Sequence, residues 1–243
     1  MRTIMTIIIG ISLLLACKNK SREENDTVNY LTFQTAQKAK DYQTAVAALT
    51  AMAATDTAKY PWVYDSLALY HYFYLNIPGL LKNPYTALHY CETGLTANKN
   101  NDFLKEMQAR LWLIEQKDSL ALLSFDNLWK KTSDYTHLWS RALILLYTGK
   151  VQKGVEIIDE ALKSQDIDKK TVRFINPDMG VRETVNAKAA FLYLNARLKL
   201  EENNLLASGE YLQECLKIDP NFVHAKSAVY EIQKKATQGG ERR

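Results

Sequence analysis

The chain has 243 residues, 47% hydrophobic and 24% charged, the make-up of an ordinary folded protein rather than a disordered or many-span membrane chain. Only 9 glycines and 5 prolines punctuate it, too few for a many-turned β-sandwich, and 3 cysteines cannot build a disulfide scaffold. With 31 Lys+Arg against 27 Asp+Glu the formal net charge is +4, which excludes a nucleic-acid binder recognisable by charge alone.

Arg2 precedes the uncharged run Ile4–Ala16. That run is shorter than the ~20 apolar residues that span a bilayer, and it lies where a secretory signal peptide lies. Leu14 is too large for ordinary signal-peptidase cleavage, which takes small residues at both flanking positions. The sequence Leu14-Leu15-Ala16-Cys17 instead resembles the lipobox of bacterial lipoproteins. The resemblance implies a signal peptide over 1–16, cleavage before Cys17, and acylation, palmitate included, of its thiol and new amine. Through Lys18 it further implies delivery to the outer membrane, facing the periplasm. Two acyl chains anchor stably, since each buried CH2 contributes ~0.8 kcal/mol. From Lys18 to Asp26 no residue is apolar, so 17–26 reads as the acylated cysteine and a flexible tether.

Beyond the tether, apolar residues recur at three and four, the helical period. Leu69–Ile77, with Tyr70, Tyr72, Phe73 and Tyr74, alternates enough to suggest a strand, but its place in the repeat that follows predicts helix. A small residue follows a turn signal five times: Ala45, Ala87, Ala121, Gly154 and Ser208, at separations of 42, 34, 33 and 54. Seven residues after each stands Met52, Gly94, Leu128, Ala161 or Cys215, and twelve before the last three stand Ala109, Ala142 and Ala196. Antiparallel helices approach closely only where side chains are short, so these positions mark helix crossings. Pro220 then closes the last unit.

Spacings of 34 and 33, the small-then-Leu pairs Gly94-Leu95, Ala161-Leu162 and Cys215-Leu216, and the closing Asp219-Pro220 resemble the tetratricopeptide repeat family. The resemblance implies an all-α fold, a right-handed solenoid of about five helical hairpins closed by a helix over 223–236. It covers 27–236, with an insertion at 166–185 and a disordered tail at 237–243. Phe33 departs from the pattern, standing where a small residue is expected.

The resemblance also implies a concave groove lined by the first helix of each pair. Its positions here are Glu106, Arg110 and Ile114; Trp139, Leu143 and Tyr147; Tyr193, Arg197 and Glu201; with Trp62, Tyr72 and Tyr30 from the first units. Trp, Tyr and Arg are the residue types that dominate interface hot spots. In the insertion, Val172, Phe174, Ile175 and Met179 are too apolar to stand in water, so the segment should dock on the repeats or on a partner, with Arg173 and Arg182 flanking. No phosphate loop, nucleophile elbow, metal motif or CxxC is present, and His71, His89, His137 and His224 lack ligand spacing. An enzyme would need a carboxylate pair such as Asp65 with Glu106, whose separation nothing in the sequence sets. Cys91 and Cys215, three units apart, should be buried free thiols.

The expectation is a non-enzymatic lipoprotein scaffold without cofactor or metal, anchored through Cys17. It would bind protein or peptide partners in the envelope, on an architecture resembling helical-repeat lipoproteins of outer-membrane assembly complexes. The alternative is an oligosaccharide-capturing lipoprotein using Trp62, Trp139, Tyr147 and Tyr193 as platforms.

Overall fold

The computed structural model describes residues 25–55, 59–73, 84–176 and 181–240, with side chains at all of these except 175–176, 181–182, 236 and 238–240. Cys17, the run Ile4–Ala16 and Met179 lie outside the described residues. Five helix pairs and a closing helix follow in order. They are α1 (25–39) and α2 (Tyr42–Thr55), α3 (Val63–Phe73) and α4 (Pro84–Ala97), α5 (Asp102–Ile114) and α6 (Asp118–Thr132). Then come α7 (Tyr135–Tyr147) and α8 (Val151–Lys163), α9 (Ala187–Glu201) and α10 (Leu205–Ile218), and α11 (Val223–Gly240). The ambiguous aromatic stretch is helix as far as Phe73, in α3. Helix α11 runs to Gly240, so 237–240 are not the disordered tail expected.

The insertion at 166–185 holds regular structure. A 3-10 turn, Ile167–Lys169, leads into β1 (Thr171–Asn176) and β2 (Val181–Asn186), an antiparallel hairpin with Val172 opposite Val185 and Arg173 opposite Thr184. Strand alternation sends Val172, Phe174 and Val185 inward to burial, while Thr171, Arg173 and Thr184 point out.

Four of the pairs close through the same turn. Lys40, Gln116, Gly149 and Asn203 take left-handed φ of 57°, 59°, 77° and 58°. The next amide in each case donates to the carbonyl five residues back: Asp41 to Ala36, Lys117 to Trp112, Lys150 to Leu145, Asn204 to Lys199, at 2.8–2.9 Å. This is the Schellman closure, which satisfies carbonyls that a helix end leaves without partners. Five residues after each left-handed position stands the buried small residue Ala45, Ala121, Gly154 or Ser208. Helix starts are capped with equal regularity: Asp41, Asn101, Asp134, Asn186 and Asn204 each accept an amide hydrogen of the first turn.

The small residues are needed where they stand. The Ser208 hydroxyl donates to Ala196 O at 2.8 Å. A Cβ on Gly154 would lie 2.7 Å from Leu146 Cδ2 and 3.2 Å from Ala142 O; one on Gly94 would collide with Leu104 Cδ1 and lie 2.8 Å from Tyr64 Cβ. Pro84 opens α4, where its missing N–H has no helical partner to lose. Pro220 lies two residues past the end of α10.

The chain divides into two compact units, 1–104 and 105–243. The first is built on Phe33, Leu49, Met52, Val63, Leu67 and Tyr70, with Tyr30, Tyr42, Tyr60 and Trp62 packed against them. Phe33, the departure from the repeat pattern, lies 5.5 Å from the Trp62 ring and 6.5 Å from Tyr70. The second holds a larger core in which the helices α7–α11 and the hairpin share one cluster. Cys91 and Cys215 are both buried free thiols, as expected.

Three glycines separate three effects. Gly149→Ala meets nothing within 4 Å yet must hold φ of 77°, and should cost about 1 kcal/mol. Gly94→Ala should cost about 1–3 kcal/mol by overpacking. Gly209, mid-helix with open space around it, should gain about 0.5–1 kcal/mol as Ala. Urea denaturation of the three variants checks the order.

Candidate partner-binding face

Two neighbouring first helices of the second unit, α7 and α9, present the expected groove positions, and the hairpin decides which of these stay open. Phe174 inserts among four aromatic rings. Its centroid is 4.6 Å from Trp139, 4.9 Å from Phe222, 5.1 Å from His224 and 6.3 Å from Tyr193. The Trp139 indole N–H donates to Ala190 O at 3.0 Å. Trp139 is therefore 8% exposed and Phe174 6%, both spent within the chain.

Beneath the hairpin lies a buried carboxylate. Glu106, from α5, is 5% exposed and receives Arg110 at 2.9 Å, His137 at 3.2 Å and Arg173 at 3.1 Å. Arg173 also reaches Asp134 at 2.7 Å, and its backbone N–H donates to Thr136 Oγ1. Burial alone would raise the Glu106 carboxyl above its ordinary range. Arg110, the His137 hydrogen bond and Arg173 outweigh it and hold the carboxyl well below the usual range. On the other strand, Glu183 accepts from the backbone N–H of Val223 at 2.9 Å and pairs with His224 Nδ1. The hairpin is thus fixed by an aromatic plug between the Glu106 ion pairs on one side and the Glu183 hydrogen bonds on the other.

The groove expectation needs correction at these positions. Glu106, Arg110 and Trp139 do not line an open surface, because ion pairing and the Phe174 contact enclose them. In the first unit, Tyr72 is 6% exposed, and Trp62 packs with Tyr30, Tyr60 and Phe33. Three of the four aromatics considered as sugar platforms, Trp62, Trp139 and Tyr193, are therefore engaged by neighbouring rings. Phe174 and Arg173 dock on the repeats, as the apolar composition of the insertion implied; Met179 and the side chain of Arg182 lie outside the described residues.

The C-terminal halves of α7 and α9 stay open. A small cleft there is lined by Leu143, Leu146, Tyr147, Leu194, Arg197, Leu198 and Glu201. Tyr147 is 63% exposed at its rim. Arg197 reaches across to Glu231 of α11 at 2.7 Å, and Glu231 also meets Lys235 at 3.4 Å. Burial pushes the Tyr193 hydroxyl up to about 12, so it stays a neutral donor between the hairpin and Arg197. The expected residues Leu143, Tyr147, Arg197 and Glu201 thus come together, with Tyr193 beside them. Glu231, Asp134, His137, Glu183 and His224 complete the arrangement. Sequence reasoning gave none of these a role in the site, because their partners are 31 to 41 residues distant.

The thiols of Cys91 and Cys215 are each pushed up to about 12 by burial. Asp65 is hydrogen-bonded by Asn101 at 2.7 Å within the first unit. Among the described residues no group of three or more His, Cys, Asp or Glu could hold a metal ion, and no helix is long and apolar enough to cross a membrane.

Paired antiparallel helices with small residues at each crossing define a helical-repeat protein. No protein-family model matches the chain and no curated protein does, but solved structures share its fold. MamA, residues 41 to the end, from Desulfovibrio magneticus RS-1 superposes with a TM-score of 0.56 at 11% identity, covering 82% of this chain and 97% of that one. A tetratricopeptide repeat protein from Parabacteroides merdae ATCC 43184 gives 0.54 at 16% identity over 90% and 76%. A chain of the APC/C hetero-tetramer Cut9-Hcn1 gives 0.53 at 13% identity over 82% and 34%. The fold is that of tetratricopeptide repeat proteins.

Because the Glu106 carboxyl is depressed in the folded chain, its stabilisation is complete above the ordinary glutamate value of about 4.3. It fades as the unfolded chain takes up the proton, and is gone once pH falls through the folded value. Glu106→Gln should therefore cost about 3 kcal/mol at pH 7, with the gap to the parent chain closing below about pH 4. Urea melts of both chains across that range test it.

Proposed function

We propose that the chain is a non-catalytic adaptor, held at the periplasmic face of a bacterial outer membrane by an acylated Cys17, that binds a protein segment across α7, α9 and α11. The observation that carries the binding reading is Tyr147. It is a large aromatic side chain left 63% exposed at the rim of a leucine-lined cleft, next to the ion pair Arg197–Glu231. An amphipathic aromatic beside a guanidinium is the composition of an interface hot spot, large in area with a polar handle. The partner segment that fits is one whose apolar side chain packs against the exposed Tyr147 ring at the rim of this shallow cleft, with a polar flank over Arg197. The similar fold seen within the Cut9-Hcn1 hetero-tetramer supports a role in assembly, and an outer-membrane assembly complex is the setting we favour. The membrane reading rests on Leu14-Leu15-Ala16-Cys17.

Tyr147→Ala removes surface area and little packing, so it should leave the melting curve of the chain unchanged. It should weaken partner capture in cross-linked, detergent-solubilised envelope about thirtyfold, the effect of a hot spot of ~2 kcal/mol. Equal capture by the parent and by Tyr147→Ala would remove this face from the interaction. Cys17→Ser should abolish labelling by radioactive palmitate and release the chain from membranes; a labelled, membrane-bound Cys17→Ser chain would end the anchoring proposal.

A further inference from the structure

Helix α1 presents one face to the core of the first unit and another to solvent. Phe33 and Ala36 are buried, whereas Val28 is 60% exposed and Leu31 54%. The outward side forms an open trough of about 430 Å³, lined on α1 by Val28, Leu31, Thr32, Thr35, Ala36 and Ala39. Asp41 at its far end is satisfied within the chain, accepting from Thr44 N at 3.1 Å. Residues 28, 32, 35 and 39 step by four, three and four along the helix, which makes a straight seam of the kind that packs against another helix.

Size is distributed unevenly along that seam. The two large side chains stand in its first half, and the second half is Thr35, Ala36 and Ala39. A two-fold axis passing between Phe33 and Gln34 would bring Val28 of one copy onto Ala39 of the other, Leu31 onto Ala36, and Thr32 onto Thr35. Each large residue then meets a small one, a knob entering the trough. Lys38 falls opposite Asn29, and Asp41 at the trough's end falls opposite Asp26, which is buried at 3% exposure. A parallel alignment would instead stack Val28 on Val28 and Lys38 on Lys38. A bilayer fits less well, since the surface is concave and offers only two large apolar side chains.

We propose that this face of α1 is an isologous docking surface for a second copy of the chain, with the two α1 helices antiparallel. A single-helix contact buries less than the ~1,200 Å² of a standard interface, so association is weak, on the order of 10–100 µM.

The test uses residues 17–243 with Cys17→Ser, which leaves only the buried thiols of Cys91 and Cys215. Copies carrying Val28→Cys are mixed with copies carrying Ala39→Cys and treated with a thiol cross-linker matching the ~8–10 Å between packed helix axes. The mixture should give a covalent dimer, and Val28→Cys alone should not, because its two sites would lie about 16 Å apart along the helix axis. In sedimentation equilibrium the parent should dimerise with concentration. Leu31→Glu, an exposed substitution, should raise the dissociation constant at least tenfold without moving the melting temperature. Cross-linking of Val28→Cys to itself as efficiently as to Ala39→Cys would overturn the antiparallel pairing. A chain that stays monomeric well above 100 µM would overturn the docking surface. So would binding of the parent, but not of Leu31→Glu, to phosphatidylethanolamine–phosphatidylglycerol vesicles in place of dimerisation, which would assign the face to the membrane.

Discussion

Four of the helical hairpins depend on one constraint: the second helix must return against the first at a distance that only a short side chain permits. The left-handed residue and the small residue five positions later are two halves of that constraint. The turn sets the direction of return, and the small residue sets how close the return comes. Moving either by one position would rotate α2, α6, α8 or α10 by about 100° and bring a larger side chain to the crossing. Three of the four left-handed positions, Lys40, Gln116 and Asn203, carry a Cβ; asparagine tolerates this conformation, but at Lys40 and Gln116 it is disfavoured by about 1–2 kcal/mol. Packing across the hairpin therefore outweighs local preference at those turns.

That balance explains what was legible in the sequence. Ala121, Gly154, Ser208 and Pro220 announce themselves because the physics restricts which residues can stand there. Lys40 and Gln116 announce nothing, since tertiary packing imposes their conformation. The hairpin was readable in part. Val172 and Phe174, then Val185, alternate with polar neighbours at strand period, but a short β signal inside a helical repeat is easily taken for a long loop. The ring of partners around Glu106 was not readable at all. His137 is 31 residues away and Arg173 is 67, and no local pattern encodes a meeting at that range.

Trp139 and Tyr147, eight residues apart on one helix face, differ in exposure in a way their types do not predict. Both stand at groove positions two turns apart, and both are aromatic. Phe174 covers the first, while among the described residues the second is left 63% exposed. The insertion therefore edits the surface of the repeats. It fills one end with the chain's own side chains and leaves at the other a smaller face, framed by Arg197 and Glu231. The buried Glu106 makes that filling specific, since an enclosed carboxylate tolerates only a partner that brings a cation to it. Arg173 is that cation, and it arrives only when the strand is in register.

The bond from the Val223 amide to Glu183 gives the last helix an unusual dependence. Five helices here carry their start signal in the residue just before them; α11 takes one of its own from a strand 40 residues upstream. A pull on the hairpin tip would draw Glu183 away and leave the first turn of α11 without its acceptor. The terminal helix is in this sense wired to the insertion, and load on one is felt as fraying in the other.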